Sequence, residues 1–275
     1  MSCGKNLFDN ITSSVSLCIS ISGSPGSLGF KLHNKGYEIL GLDYIYLPLK
    51  AINPSVAVAA IRNFGIKGCS VSMPFKETVI EFLDEMDINA QKVGAVNTIL
   101  NSDNKLIGYN TDFSSASKVA GIIKQKDASR ILILGAGGFA RAFLVAIQSL
   151  TNVELYYSAR TRKDFFDNWA TFIPWEKRNI GKFDAVINAT PLGMQCEIPY
   201  QLVNSSKTKL VVDAVSNPNL TKFVESAEKL QIKSITGAEL AFEQFLQQFL
   251  IYTGKEIDRD KILNYYLNLT GTNFV

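Results

Sequence analysis

Residues 130–141 read RILILGAGGFAR, an apolar run that enters a glycine-rich turn and continues into a helical pattern. Gly135, Gly137 and Ala140 have the spacing GxGxxA within this stretch. In a strand, turn and helix unit, the first glycine allows the tight turn, the second lets the backbone approach a pyrophosphate, and the small third residue lets helix and strand pack closely. The helix N-terminus then offers free N–H groups to an anion. Because both flanks are correct, the stretch predicts a dinucleotide-binding unit, although glycines at such turns often serve the turn alone.

The second strand of this unit is followed by Ala159-Arg160-Thr161-Arg162-Lys163. An NAD-specific fold usually places Asp or Glu in this position, about twenty residues after the glycines, on the ribose 2′-hydroxyl. Three cations and a hydroxyl suit a 2′-phosphate instead. The alternative is a solvated helix start, but cations are disfavoured at a helix N-terminus unless an anion lies nearby. The pattern therefore favours NADP over NAD.

Short runs rich in β-branched and aromatic residues alternate with longer helical patterns along the rest of the chain. This alternation is typical of βαβ units with a parallel sheet. One helical pattern, 75–86, places its apolar residues on one face and begins just after Pro74, a favourable helix start. The predicted strands are 16–21, 42–48, 67–72, 96–100, 131–134, 153–158, 184–188, 209–213 and 232–235.

At 275 residues the chain is longer than the usual single domain, so we predict two α/β domains. The first, 1–112, has a mostly parallel sheet, and the second, 113–236, is Rossmann-like, with the boundary within 113–130. The last pattern, 237–275, carries apolar residues on a long helix that must bury them. We expect this helix to return to the first domain.

The composition is that of a soluble globular protein, with 47% apolar and 19% charged residues. The net charge of +3 is not gathered into a basic stripe, which argues against nucleic acid as a partner. Cys3, Cys18, Cys69 and Cys196 form no CxxC pair, and the single histidine, His33, lies in a helical pattern where we expect a structural role. No signal peptide or membrane span is expected. The sequence predicts a cytoplasmic protein without a metal or a membrane partner.

Three polar segments of the first domain lie at strand ends. Lys76 ends the segment SVSMPFK (70–76), and AVNT (95–98) and YNTD (109–112) lie at other strand ends. Ligands of open α/β sheets bind at the carboxyl edge, where these side chains could converge. Reduction of a ketone creates an alkoxide that needs a proton, and a lysine beside a carboxylate can supply it. Lys76 and Asp112 have the right chemistry, although each alone is more often a surface lysine or a helix cap.

These segments, with several others in the same order and spacing, resemble the shikimate dehydrogenase family along essentially the whole chain. The resemblance implies that Lys76 and Asp112 are the catalytic pair, that the first domain binds substrate, and that a cleft closes over both ligands. The motifs that carry it are His33-Asn34, GLDYIYLPL (41–49), SVSMPFKE (70–77), GAVNT (94–98), NTD (110–112), GAGGFAR (135–141), INATPLGM (187–194) and Gln244.

The same resemblance implies the ligand-binding residues. Those expected to bind shikimate or 3-dehydroshikimate are Ser22, Ser27, Ser72, Asn97, Thr111 and Gln244. Those expected to bind NADP are Gly135, Ala136, Gly137, Gly138, Phe139, Ala140, Arg160, Thr161, Lys163, Asn188, Ala189, Thr190 and Gly237.

The family's SxSP motif, whose two serines hold the substrate carboxylate, reads Ser27-Leu28-Gly29-Phe30, so one serine is lost and Ser22 or Ser24 is the candidate replacement. Losing one hydrogen bond to a charged group costs about 1.5–3 kcal/mol. The other departures are Ser216 for a tyrosine, Glu239 and Leu240 for a small residue and a methionine, and Ala159 and Asp164 around the basic motif. Together they indicate the shikimate dehydrogenase-like branch.

The predicted activity is reversible, NADPH-dependent reduction of 3-dehydroshikimate, or of a close analogue such as dehydroquinate, by a monomer or homodimer. The resemblance implies a place in aromatic amino acid biosynthesis through chorismate, whereas the departures favour the shikimate dehydrogenase-like branch over the main biosynthetic enzyme, so another pathway stays open. A regulatory homologue that binds shikimate without turnover is the main alternative. A methylene-folate-type dehydrogenase is weaker, because it has no use for the AVNT and NTD segments.

Overall fold

The structure is a computed structural model that describes residues 12–203 and 207–271. Contacts within the chain divide it into two compact units. Unit 1 takes in the described residues up to Thr111 and then Gln244–Leu269. Unit 2 takes in the described residues of Asp112–Glu243 together with Thr270 and Gly271. Each unit is built on its own six-stranded sheet, which confirms the predicted α/β class.

Unit 1 has strands in the order β2-β1-β3-β5-β6-β4. β1 pairs in parallel with β2 and β3, while β5 pairs antiparallel with β3 and β6. Its core is apolar, with Ile19, Ile61 and Ile99 each no more than 2% exposed. Its first elements are β1 (Ser16–Ser22), α1 (Leu28–Leu40), β2 (Tyr44–Lys50), α2 (Pro54–Asn63), β3 (Gly68–Val71), β4 (Glu85–Met86), α3 (Ile88–Val93), β5 (Thr98–Ser102) and β6 (Lys105–Tyr109).

Unit 2 has an all-parallel sheet in the order β12-β11-β10-β7-β8-β9. The central strand β7 is flanked on both sides, and its residues Ile131–Leu134 are fully buried, each stabilising the fold by about 1.5–3 kcal/mol relative to exposure. The remaining elements are α4 (Thr111–Gln125), β7 (Arg130–Leu134), α5 (Gly138–Ile147), β8 (Glu154–Ala159), α6 (Asp164–Asp167), β9 (Thr171–Pro174), β10 (Ala185–Asn188), β11 (Leu210–Asp213), α7 (Lys222–Lys229), β12 (Lys233–Ile235), α8 (Gly237–Thr253) and α9 (Arg259–Thr270).

Every predicted strand is found with ends within two residues of those expected, but β4, β6 and β9 were not predicted. β6 follows β5 through a two-residue turn in which Asp103 and Asn104 have φ of 50° and 68°. Positive φ at both positions is typical of a type I′ hairpin turn, which Asn and Asp tolerate. The Asp-Asn pair was therefore an available signal for this hairpin.

The predicted helix at 75–86 is wrong, because the segment contains only a 3₁₀ turn at Ile80–Phe82. The carbonyl of Lys76 accepts instead from the backbone N–H of Val96, with an N···O distance of 2.7 Å. The end of the segment joins the sheet as β4, beside β6. Hydrogen bonds to distant strands thus take the backbone groups that an α-helix would pair locally.

The division between the units falls inside two continuous helices. Unit 2 starts at Asp112, the second residue of α4, and α8 passes from unit 2 into unit 1 after Glu243. The sequence predicted these boundaries at 112/113 and 236/237. A helix that continues across a boundary leaves no turn or composition change to mark it. Across the described residues, every helix is too short or too polar to span a bilayer.

Candidate active site

Backbone hydrogen bonds gather the three polar segments of unit 1 at one place. Asn97 donates from its backbone N–H to the carbonyl of Tyr109 at 3.0 Å and accepts at its carbonyl from Val71 at 2.7 Å. The neighbouring N–H of Val96 holds the carbonyl of Lys76. The ends of β3 and β6 and the start of β5 therefore place the backbone of Lys76 beside the AVNT segment.

Asn97 and Thr111 are bonded to each other and are 3% and 2% exposed. The backbone N–H of Thr111 donates to Asn97 Oδ1 at 2.8 Å, and Asn97 Nδ2 donates to Thr111 Oγ1 at 3.0 Å. Asn110, between the two segments, donates from Nδ2 to the carbonyl of Ala95 at 2.8 Å. Two predicted substrate residues thus form one rigid, buried pair.

Asp112 follows Thr111 directly and is fully buried in the first turn of α4. Its carbonyl accepts from the hydroxyl of Ser115 at 2.9 Å, which braces that turn. Lys76 is half-buried in the turn after β3. Lys76 belongs to unit 1, whereas Asp112 opens unit 2.

The predicted serines differ in environment. Ser22, at the end of β1, is 6% exposed, and among the described residues its hydroxyl has no hydrogen-bond partner. A buried hydroxyl without a partner costs free energy unless a ligand satisfies it. Ser72 is exposed and joins the same sheet edge, since its N–H donates to Ile21 at 3.0 Å. Ser27 is the exposed N-cap of α1, and its side chain makes no capping bond.

Gln244 is half-buried on α8. The residue one turn later, Gln248, was not predicted, yet its side chain bonds both Ser70 and Thr98. Residues four apart share a face of a helix, so the spacing of the two glutamines was the available signal.

The single histidine is structural, as expected. His33 is 1% exposed. Its ring stacks on that of Tyr46 with 4.3 Å between centroids and packs edge-to-face with Phe245 with 5.0 Å between centroids. Burial lowers the pKa of His33 to about 3. Asn34 ties the same helix to β2, because its amide accepts from the N–H of Tyr46 at 2.9 Å and donates back to the Tyr46 carbonyl at 3.0 Å.

In unit 2, the turn after β7 has a residue that must be glycine. Gly135 has φ of +102°, and a Cβ there would lie 3.0 Å from the carbonyl oxygen of Ala189. Its N–H donates to the carbonyl of Ser158 at 2.8 Å. The turn therefore holds the ends of β7, β8 and β10 at close approach.

Gly137 and the start of α5 fit a pyrophosphate. Gly137 is the exposed N-cap in extended conformation, no side chain caps the helix, and a Cβ would meet nothing within 4 Å. Uncapped N–H groups of the first turn are therefore accessible to an anion. Ala136, Gly138 and Phe139 are half-buried around this turn, and Ala140 is fully buried against the sheet.

The basic segment after β8 separates into two parts. Arg160 and Thr161 are exposed, and within the described chain Arg160 makes no ion pair. Arg162 Nε donates to Asp167 Oδ2 at 2.6 Å, and this hydrogen bond raises the pKa of Arg162. Lys163 is the N-cap of α6, so its backbone is committed to the helix. The side chains of Arg160 and Lys163 are thus exposed and make no ion pair within the described chain, whereas that of Arg162 is already paired.

Asn188 is fully buried, and its side chain is used within unit 2. Nδ2 donates to Asp213 Oδ1 at 2.8 Å, and Oδ1 accepts from the hydroxyl of Thr190 at 2.6 Å. Burial raises the pKa of Asp213, against opposing hydrogen bonds from Thr221 and others. These bonds shape the loop that carries Ala189 and Thr190, both half-buried.

α8 starts with a glycine and a capping box. A Cβ on Gly237 would lie 2.3 Å from the backbone of Val215, so only glycine fits. Thr236 N–H donates to Glu239 Oε2 at 2.7 Å, and Glu239 N–H donates to Thr236 Oγ1 at 3.2 Å. The pattern Thr-x-x-Glu is the usual signature of this cap, which explains Glu239 at a position where the resemblance led us to expect a small residue.

Comparison with known proteins identifies the family. Residues 19–99 match the family model described as shikimate dehydrogenase substrate binding domain. The shikimate dehydrogenase-like protein of Haemophilus influenzae is 30% identical over 250 residues, covering 88% of this chain and 92% of that protein. Shikimate dehydrogenase (NADP(+)) of Pyrobaculum aerophilum is 32% identical over 252 residues, covering 87% and 93%. The chain belongs to the shikimate dehydrogenase family.

Solved structures of the shikimate dehydrogenase family share the fold. A shikimate 5-dehydrogenase-like protein superposes with a TM-score of 0.81 at 28% identity, covering 95% of this chain and all of that one. Shikimate 5-dehydrogenase of Thermus thermophilus, in complex with NADP(H) and shikimate, gives a TM-score of 0.76 at 25% identity, covering 92% and 99%. The Rossmann-like assignment of unit 2 is thereby confirmed.

Proposed function

We propose that this NADP-dependent oxidoreductase interconverts 3-dehydroshikimate and shikimate, or a close cyclic hydroxy acid such as quinate, with Lys76 and Asp112 moving the proton. The observation that carries the proposal is the buried Asn97–Thr111 pair, with the backbone of Lys76 bonded to the residue before Asn97 and Asp112 following Thr111. The solved relative that contains shikimate and NADP(H) supports the same pair of ligands.

Each half of the reaction has a clear requirement. NADPH, when bound, supplies the hydride that reduces the substrate ketone. The Lys76 ammonium donates a proton to the carbonyl oxygen as negative charge develops there, so ketone, hydride and proton become the alcohol. In this proposal the Asp112 carboxylate is the partner of Lys76 in the pair that handles the proton. In the oxidation direction, neutral Lys76 takes the hydroxyl proton.

The other residues of unit 1 hold the ring. Asn97 and Thr111 bind its hydroxyls, Gln244 adds a contact from α8, and Ser72 completes the sheet edge. Ser22 is the stronger candidate, because its buried hydroxyl has no partner within the described residues and can donate to the substrate carboxylate in place of the serine that Gly29 replaces. Ser27, at the start of α1, is the second donor.

Unit 2 binds the cofactor in this proposal. Gly135 to Ala140 form the pyrophosphate turn, and Arg160, Thr161 and Lys163 surround the 2′-phosphate. Asn188 holds the loop that would line the nicotinamide, and the backbone of Ala189, Thr190 and Gly237 would contact the nicotinamide ring. The open position beside Gly137 and the uncapped start of α5 support this assignment.

The test is NADPH oxidation with 3-dehydroshikimate by the wild type and by Lys76→Ala and Asp112→Asn. Lys76→Ala should lower kcat by orders of magnitude while the substrate KM changes little, because the proton donor acts mainly in the transition state. Lys92→Ala, at an exposed lysine of α3, is the matched control and should behave as wild type. An unchanged kcat in Lys76→Ala rejects the pair.

The same panel separates the regulatory alternative. A wild-type chain that binds shikimate by calorimetry but oxidises no NADPH with shikimate, quinate or their ketones is a ligand sensor rather than an enzyme. Parallel assays with NADH test the preference for NADP.

A further inference from the structure

A chain of side-chain hydrogen bonds, the Gln248 relay, runs through unit 1 from Ser70 to Asn97. Ser70 Oγ lies 3.0 Å from Gln248 Oε1, and Gln248 Nε2 lies 3.1 Å from Thr98 Oγ1. Thr98 Oγ1 in turn lies 2.9 Å from Asn97 Oδ1. The relay thus connects α8 with β3 and with the start of β5.

The direction of each bond follows from the Asn97 end. The backbone N–H of Thr111 can only donate, so the atom it meets at 2.8 Å is the amide oxygen of Asn97. Thr98 Oγ1 must spend its single proton on that same oxygen. It therefore accepts from the NH₂ of Gln248, which leaves Gln248 Oε1 to accept from the hydroxyl of Ser70.

Two buried phenols complete the other end. Ser70 donates its proton to Gln248, so it accepts from Tyr46, at 2.8 Å, and from Tyr252, at 3.0 Å. Burial raises the pKa of both tyrosines, which keeps them protonated as donors. These hydrogen bonds consequently assign one orientation to each of Gln248, Thr98 and Ser70.

Burial makes the alternative orientation of Asn97 expensive. Asn97 is 3% exposed and Thr98 is fully buried. Turning the amide over would set its NH₂ against the N–H of Thr111 and against the hydroxyl proton of Thr98. Two donors cannot form a hydrogen bond with each other, and no water reaches a buried site to replace the lost bond. The flipped orientation would therefore cost the free energy of unsatisfied buried donors.

We propose that Gln248 is a positioning residue. It acts through Thr98 to hold the Asn97 amide with its oxygen toward the Thr98 hydroxyl and the Thr111 N–H, and with its NH₂ toward the Thr111 hydroxyl and the substrate hydroxyls. The inference rests on the proposed function in one respect, that Asn97 binds substrate. Without Gln248, the hydroxyl of Thr98 is no longer obliged to donate to Asn97, and the amide loses part of its restraint.

A merely structural role, tying α8 to the sheet, makes a different prediction. Loss of a structural tie lowers the fraction of folded protein, and hence the apparent kcat, without changing the substrate KM of the molecules that remain. Loss of positioning raises the substrate KM and leaves the KM for NADPH, which unit 2 binds, unchanged.

The experiment compares Gln248→Met and Thr98→Val, which remove the polar groups at nearly constant volume, with Thr98→Ser, which keeps the hydroxyl. Gln247→Met is the matched control on the exposed side of α8. Gln248→Met and Thr98→Val should each raise the KM for 3-dehydroshikimate about five- to tenfold, the scale of one hydrogen bond. Thr98→Ser and Gln247→Met should stay within about twofold of wild type, on the same scale.

The double variant tests whether the two residues act in one path. If they do, its KM should be no higher than that of the worse single variant, because residues in one network do not add. An unchanged substrate KM in both single variants, or a Thr98→Ser as impaired as Thr98→Val, overturns the inference.

A second readout does not depend on turnover. The side-chain NH₂ of Asn97 is followed by NMR in nitrogen-labelled protein without ligands, and its signal is assigned by its loss in Asn97→Asp. Its protons should exchange faster in Gln248→Met and Thr98→Val than in wild type and Gln247→Met. If Gln248→Met does not fold, the comparison of Thr98→Val with Thr98→Ser tests the inference.

The two readouts separate the two claims. Faster Asn97 exchange in a protein that never oxidises NADPH with these substrates supports the relay and rejects the proposed function. Normal turnover by the wild type, with Asn97 exchange unaffected by either variant, supports the function and rejects the positioning role.

Discussion

Replacing Gly137 with alanine is expected to weaken NADP binding without destabilising the cofactor-free chain. The residue has φ of −89° and ψ of −176°, which any residue adopts, and a Cβ there would meet nothing within 4 Å. Alanine gains about 0.4–1 kcal/mol from a less flexible unfolded chain and loses a similar amount at an N-cap. The net change in the free energy of unfolding should therefore stay within about 0.5 kcal/mol.

Cofactor binding should respond very differently, because in the proposed site the methyl group would lie where the backbone approaches the pyrophosphate. Losing one hydrogen bond to a charged group costs about 1.5–3 kcal/mol, which is about a ten- to hundredfold increase in the KM for NADPH. The KM for 3-dehydroshikimate should remain close to that of wild type, since its proposed ligands lie in unit 1.

Gly135→Ala is the comparison variant, and it is expected to destabilise the cofactor-free fold. Its φ of +102° disfavours alanine, and the new Cβ would lie 3.0 Å from the carbonyl of Ala189 and 3.1 Å from Thr190 Cγ2. Strain of this kind costs about 1–3 kcal/mol. Gly135→Ala should therefore lower the urea midpoint of unfolding even without cofactor.

The assay is NADPH titration at saturating substrate, together with urea unfolding of each cofactor-free variant followed by circular dichroism. An NADPH KM for Gly137→Ala within about twofold of wild type would refute the assignment of this turn to the pyrophosphate, because a charged hydrogen bond is worth more than that. A clear fall in its urea midpoint would show instead that the glycine serves the fold.

Arg160→Ala should raise the KM for NADPH but not for NADH, because the Arg160 side chain makes no ion pair within the described chain and can bind the 2′-phosphate that NADH lacks. Arg162→Ala should raise the KM for NADPH less, because the Arg162 guanidinium is already bonded to Asp167. Equal effects of the two arginine variants would argue against a specific 2′-phosphate contact. His33, whose ordinary pKa of 6.5 is lowered to about 3 by burial, stabilises the folded state above pH 6.5, and this contribution is lost as the pH falls from 6.5 towards 3. In His33→Phe the urea midpoint should lose that part of its pH dependence, and an identical slope in both proteins would contradict the assignment.

Local sequence patterns predicted the secondary structure correctly where it depends on residues that are close in sequence. The run before Gly135 predicted β7, and the spacing to Ala140 predicted the start of α5, because turn geometry and periodicity are set within a few residues. The same reasoning failed at 75–86, where apolar residues have a helical period but Lys76 gives its carbonyl to Val96.

The candidate site divides in a similar way. Lys76, Asn97 and Asp112 were recognisable from segments whose residue types and order recur in a family. Gln248 was not, since its function in the relay depends on partners in β3 and β5 that lie far from it in the chain. The sequence also gave no sign that the Ser22 hydroxyl lacks a partner in the part of the chain that the structure describes, because the hydrogen bonds of a hydroxyl depend on everything packed around it.

Sequence patterns were enough to predict the α/β class, the positions of most strands and the chemistry at the strand ends, because these follow from periodicity, turn residues and side-chain type. The folded structure was needed to show which backbone groups Lys76 and Asn97 bond, which way the Asn97 amide faces and which glycines are required by close approach. Those properties arise from hydrogen bonds and contacts between segments distant in sequence, which no local pattern encodes.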